Sequence, residues 1–214
     1  MSKFIPVLFS TSMIQAILEG RKTMTRRVIN FKQIAKQSGC TKGTLAYSDT
    51  FNSWAIFNGN GEADLCLIDC PYGKKGDILW VREKFRVNQT PTGFFYHFYT
   101  DDDYTDKDNE KWKPSLFMPK SACRIFLEIT NVRVERLNEI SEKDAINEGV
   151  HKDSAGWYED YLKQDVWNRT HTIHTAKRSF GTLWQSINGR ESMESNPFVW
   201  VIEFKRVEKP EGFI

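Results

Sequence analysis

Apolar positions recur along this chain first at strand spacing and then at helix spacing, and the switches between the two mark out its elements. Phe4 to Phe9 is a short apolar run and reads as a strand. Ile14, Ile17 and Leu18 follow at helical spacing, behind Ser12 with Gln15 three residues on, the arrangement of a capping box. Gly20 is placed to stop that helix in a left-handed turn. The segment from Lys22 to Arg27 therefore leaves a helix end and enters a β or loop segment. In a regular strand Lys22 and Thr25 point to opposite faces, so they share a site only if the backbone turns between them.

Glycines at 39, 43, 59, 61 and 73 interrupt residues 31–75, which read as a decorated insertion with short strands at Thr44–Tyr47 and Trp54–Phe57. Ile78 to Val87 reads as one strand and Phe94 to Tyr99 as another. Asp101 to Lys113 is polar and acidic, an exposed loop. Pro119 argues against a central strand around it. Arg124 to Val134 carries the clearest strand pattern, with Ile125, Leu127 and Ile129 alternating with Phe126, Glu128 and Thr130. Ser141, with Asp144 three residues later, starts a short helix that ends at Gly149. Helices are expected over Tyr158–Trp167 and Lys177–Ile187, and a last strand over Phe198–Val207. This order predicts an α+β fold, a small mixed β-barrel with helices covering its openings. One domain over 1–214 is expected, with insertions at approximately 31–75, 100–113 and 151–176.

Composition changes this picture little. The chain has 214 residues, 40% hydrophobic and 14% aromatic, and its 30 basic and 28 acidic side chains nearly balance. A net charge of +2 does not select nucleic acid as a partner, since a local patch can be basic when the total is not. The opening apolar run is too short for a signal peptide. No run approaches the roughly 20 apolar residues of a membrane span. A cytoplasmic location and free thiols at Cys40, Cys66, Cys70 and Cys123 are the expectation. No cofactor signature is present. Cys66-x3-Cys70 lacks the knuckle spacing of a zinc site, and nothing ties it to His171-x2-His174, so no metal is expected.

The candidate chemistry gathers in Gly20-Arg21-Lys22-Thr23-Met24-Thr25-Arg26-Arg27, which holds four cations and two threonines. A threonine hydroxyl is a poor nucleophile unless a neighbour takes its proton. Lys22 can do so only with a pKa well below the usual lysine value, a condition that burial and the adjacent arginines favour. Read without catalysis, Lys22, Arg26 and Arg27 form a patch for phosphates. Trp80, Arg82 and Glu83 are further candidates to line a site, although Arg82 and Glu83 point to opposite faces of a regular strand. A flat substrate needs a stacking wall, for which Phe9, Trp80 and Trp184 are candidates.

The same segment resembles the signature of the ASCH domain family, whose fold is similar to that of RNA-binding PUA domains. Gly76-Asp77-x-Leu79-Trp80-Val81-Arg82-Glu83, Pro114-Ser115-x-Phe117-Met118-Pro119 and Pro197-Phe198-Val199-Trp200 resemble motifs of its longer members, associated with bacteriophages and prophages. The signature is similar to that of amidohydrolases in this family that cleave N4-acetylcytidine. That resemblance implies an amidohydrolase for an N-acylated nucleoside or base, with Lys22, Thr25 and Glu148 as the catalytic set. It implies Arg27 in the pocket, beside Arg21, Arg26, Trp80, Arg82 and Glu83 as substrate contacts. Other members are thought to bind or cut RNA, so a non-catalytic nucleic-acid module and a ribonuclease are the alternative expectations.

Overall fold

The computed structural model describes residues 2–30, 44–48, 53–57, 66–91, 93–101, 111–162 and 173–213. Its centre is a five-stranded mixed sheet. The strands are β1 (Phe4–Leu8), β2 (Met24–Val28), β6 (Ile78–Arg82), β9 (Phe126–Arg136) and β10 (Phe198–Val207), in the order β1-β6-β9-β10-β2. Only β1 and β6 run parallel. Two smaller units hang from this frame. One is a three-stranded sheet of β3 (Thr44–Ser48), β4 (Ser53–Phe57) and β5 (Cys66–Ile68); the other is a hairpin of β7 (Phe85–Thr90) and β8 (Gly93–Phe98).

Alternation decides which side chains each face of the sheet buries. Phe204, Ile202 and Trp200 of β10 point with Leu127 and Ile129 of β9 into one core, where Val7, Phe9, Ile14 and Ile17 meet them. Val199 and Val201, one step out of phase, join Met24 on the opposite face. There they pack against Phe180, Leu183 and Trp184 of helix α3 (Ala176–Asn188). A third cluster, built on Trp80, Phe126 and Phe213, lies under the hairpin. The main sheet is strongly curled. Its two outermost strands in the pairing order are β1 and β2, yet Arg27 of β2 donates from Nη2 to the Leu8 carbonyl at the end of β1, 2.7 Å away.

Two short helices flank the seam between those edges. Helix α1 (Thr11–Leu18) starts at Ser10, whose hydroxyl accepts from the Met13 N–H. Helix α2 (Glu142–Asn147) starts at Ser141, as the sequence predicts, and its Glu142 carboxylate accepts from the Ala176 N–H at the start of α3. A fourth helix, α4 (Arg190–Glu194), links α3 to the last strand. None of the described helices is long and apolar enough to cross a membrane.

Three local expectations are corrected. The cap of α1 is Ser10, two residues before Ser12, because Ser12 already lies inside the first turn. The strand expected over 78–87 breaks at Glu83 and Lys84. The Glu83 N–H is taken by the Met118 sulfur, 3.1 Å away, and its buried carboxylate turns to Arg124, so the ladder stops there. Tyr158 to Leu162 is not helical. Tyr158 bridges to Lys152 and Ile173 in extended form, and its ring and that of Tyr161 pack on the α3 core without a helix. Residues 163–167 of that expected helix lie outside the described residues, as does most of the acidic loop after Asp101.

Candidate functional site

The site is assembled where α1 ends, β2 begins and α2 ends. Gly20 takes φ +76°, the left-handed turn expected of it. The backbone then folds back, and the N–H groups of Arg21 and Lys22 both donate to the Ala16 carbonyl. Lys22 next pairs with Glu148 in an isolated antiparallel bridge, and the Thr23 N–H donates to the Asn147 carbonyl at 2.8 Å. Only at Met24 does the chain enter the sheet proper.

This entry supplies the turn that Lys22 and Thr25 need. Within β2, Thr25 pairs with Ile202 and Arg27 with Trp200, so both follow the inward face. Arg26 pairs with Val201 and follows the opposite face, toward α3. Lys22 precedes the strand and is free of its alternation. Its ammonium lies 5.8 Å from the centre of the Phe9 ring, and the Arg27 guanidinium lies 5.3 Å from the same ring. Lys22, Thr25 and Arg27 thus lie on one side of the segment.

Glu148 is the C-cap residue of α2 and is 3% exposed. Lys22 Nζ donates to its Oε2 at 2.8 Å and to its backbone carbonyl at 2.9 Å. The Lys22 side chain has no exposed surface. Burial pushes its pKa below the ordinary lysine value, and the positive charges of Arg27 and Arg26 push the same way against the opposing pull of Glu148. Thr25 and Glu148 open on a cavity of about 260 Å³, walled by Met13, Tyr72, Phe180 and Trp184. The Arg27 guanidinium stands between the rings of Phe9 and Tyr72 on this wall. A second, more open cavity of about 520 Å³ shares Leu183 and Ile187 with the first. Ser10, Ser12, Gln15, Arg21, His151 and Glu159 line it.

The other expected contacts divide. Arg21 borders the second cavity, with its guanidinium held by Glu19 and the Gly149 carbonyl. Arg26 contributes to the wall of the smaller cavity, but its guanidinium is fully buried and committed to Glu135, Asp144 and Glu148. Trp80, Arg82 and Glu83 line neither cavity. Trp80 is buried in the cluster under the hairpin, and Arg82 lies over its ring and donates to the Leu116 carbonyl. Glu83, with no exposed surface, accepts from Arg124 Nε and Nη2 and from the Thr100 hydroxyl, each at 2.9 Å. These three hold the sheet to the hairpin base. Of the proposed stacking residues, Trp184 lines the cavity and Phe9 lies beneath its cations. Tyr72 and Met13 went unforeseen, and no local pattern marks them.

Among the described residues, no three His, Cys, Asp or Glu side chains stand together as a metal site. Cys40, His171 and the Cys66 side chain lie outside the described residues. The His174 ring packs edge-on against Trp157, 4.5 Å between centres. Burial raises the Cys70 thiol to about 12 and the Cys123 thiol to about 11, so both stay protonated at neutral pH.

No family model matches the sequence, and no curated protein matches it. Two solved structures are similar along nearly the whole chain. One is a protein from Enterococcus faecalis V583 described under the family DUF984, with a TM-score of 0.39 and 11% identity over 99% of this chain and 84% of that one. The other is an ASCH domain from Lactobacillus crispatus JV V101, with a TM-score of 0.36 and 14% identity over 97% of this chain and 81% of that one. Neither likeness bears on chemistry.

Proposed function

We propose that the chain is an amidohydrolase that removes an acyl group from an acylated nucleoside of the N4-acetylcytidine kind. The observation that carries this reading is the fully buried Lys22, depressed in pKa and paired to Glu148, a residue that lines a small aromatic-walled cavity together with Thr25. A buried lysine whose pKa is lowered is a base better suited to a hydroxyl than an ordinary surface lysine. In the proposed reaction, Lys22 takes the Thr25 proton as the oxygen attacks the acyl carbon. The bond to the base nitrogen breaks, that nitrogen leaves with the proton, and water then hydrolyses the acyl ester on Thr25. Arg27, on the cavity wall, is the cation this scheme assigns to the developing oxyanion.

The cavity dimensions support a nucleoside. At about 260 Å³ the inner compartment suits a base and its acyl group, and the adjoining compartment offers Ser10, Ser12, Gln15 and Arg21 to a sugar. The alternative, a phosphate-binding patch centred on Arg26 and Arg27, has less support. Arg26 is spent on three carboxylates and Arg27 bonds the Leu8 carbonyl.

The test is acetate release from N4-acetylcytidine by the wild type and by Lys22→Ala and Thr25→Val. Turnover that drops at least about a hundredfold in each folded variant supports the reading. An unchanged rate in Thr25→Val removes the nucleophile from the scheme. No turnover on a panel of acylated nucleosides, together with salt-dependent RNA binding or RNA cleavage, replaces the reading with one of its alternatives.

A further inference from the structure

Arg26 holds the half of Glu148 that Lys22 leaves open. Lys22 Nζ occupies Oε2 at 2.8 Å, and Arg26 Nη1 lies 3.3 Å from Oε1. The two cations reach the carboxylate differently. Lys22 comes from the lead-in to β2, beside Phe9, whereas Arg26 comes from the face of β2 that α3 covers. Arg26 is fixed at its other end. Its Nη2 donates to Glu135 Oε2 at 2.9 Å and to Asp144 Oδ2 at 3.0 Å. Arg133 closes the ring behind, bonded to Glu135, Asp144 and Glu203.

We propose that Arg26 is a positioning residue for this site: it fixes the Glu148 carboxylate from behind and thereby sets how readily Lys22 gives up its proton. The proposal rests on the reading of Lys22 as the base of the reaction. Every charged group around the pair enters the balance. Glu148 from α2 favours the charged lysine, while Arg26 and Arg27 from β2 disfavour it. Asp144, Glu135 and Glu203 offset the charges of Arg26 and Arg133 on the far side. If Arg26 is removed, Lys22 loses a repelling cation and keeps Glu148 to itself. Both changes hold the proton more tightly. A structural arginine would instead change stability and leave the lysine's titration where it was.

The experiment follows Lys22 directly, by the pH dependence of its side-chain carbon and nitrogen resonances in lysine-labelled protein. The signal is assigned by its loss in Lys22→Ala. In Arg26→Met the midpoint is expected to rise by roughly one pH unit. The limb of kcat/KM on which the base loses its proton should rise with it, and Arg26→Lys should return both most of the way. Asp144→Asn is a milder companion that keeps Arg26 in place. With one compensating carboxylate gone, the Lys22 midpoint should fall. Midpoints that stay at the wild-type value in folded Asp144→Asn, and in Arg26→Met if it folds, overturn the proposal. A midpoint that moves in a protein without amidohydrolase turnover leaves Arg26 as the group that sets Lys22 and removes only the reaction.

Discussion

Gly149 and Lys22 are in contact through a gap that only glycine leaves. A Cβ at position 149 would lie 2.8 Å from Lys22 Cβ and 3.0 Å from Ala16 Cβ, and Gly149 has φ +88°. The glycine that ends α2 therefore also gives Lys22 its space. Gly149→Ala should cost roughly 2–4 kcal/mol in denaturant unfolding, from overpacking and left-handed strain together. It should also cut turnover by more than the loss of folded protein explains. A variant with wild-type stability and rate would show that the backbone there relaxes freely.

The buried lysine also predicts a pH signature in stability. Its pKa is lower folded than unfolded, so between the two values the unfolded chain binds more protons. Its favourable contribution is complete above about pH 10.5, the unfolded lysine value, and is lost as pH falls through the folded value. Lys22→Met has no such loss. Relative to the wild type it should be most stable at the acid end of that window and lose ground as pH rises toward the unfolded value. Thermal melts of both proteins across the window give the comparison, and a pH-independent difference would contradict the lowered pKa.

Glu83 is a structural anchor away from the site. Glu83→Ala strips a buried guanidinium partner from Arg124 and leaves the Thr100 hydroxyl without its acceptor. Arg124 is a third exposed and keeps Asp101, so the expected cost is on the order of 1–3 kcal/mol, with turnover by the remaining folded protein unchanged. A specific loss of kcat, with stability retained, would bring Glu83 back into the chemistry.

The cap of α1 separates two neighbouring serines. Ser10→Ala should destabilise by about 1 kcal/mol, since its hydroxyl accepts from the Met13 N–H. Ser12→Ala should stay within about 0.5 kcal/mol of the wild type. Urea unfolding of the two variants decides between the caps.

Whereas β2 was legible only as a β or loop segment after Lys22, apolar runs and alternation located β1, β9 and β10 of the main sheet. The phase of Ile125, Leu127 and Ile129 in β9 is an example. The stop at Gly20 and the cap at Ser141 were equally legible, since each is a local backbone requirement. What escaped depends on contacts distant in sequence. Nothing near Glu83 announces that its N–H will meet the Met118 sulfur and end a strand. Nothing near Arg26 announces three carboxylates brought in from β9 and α2. Tyr158 and Tyr161 have helical spacing, yet Tyr158 bridges to Lys152 and Ile173 and both rings lie half-buried in a non-helical segment. The meeting of Lys22 with Glu148 is likewise long-range. A family resemblance pointed to those two residues, but their bond lengths and burial are visible only in three dimensions.

The Arg27 bond to Leu8 has a consequence for solubility. A sheet whose outer strands lack neighbours offers unpaired backbone to any other extended chain, including copies of itself. Here the curl turns the edges of β1 and β2 toward each other, and one guanidinium occupies a carbonyl at the end of β1. A charged group at such an edge makes the approach of a foreign strand unfavourable. The seam beside the cavity is thereby guarded against aggregation by Arg27, which also lines that cavity.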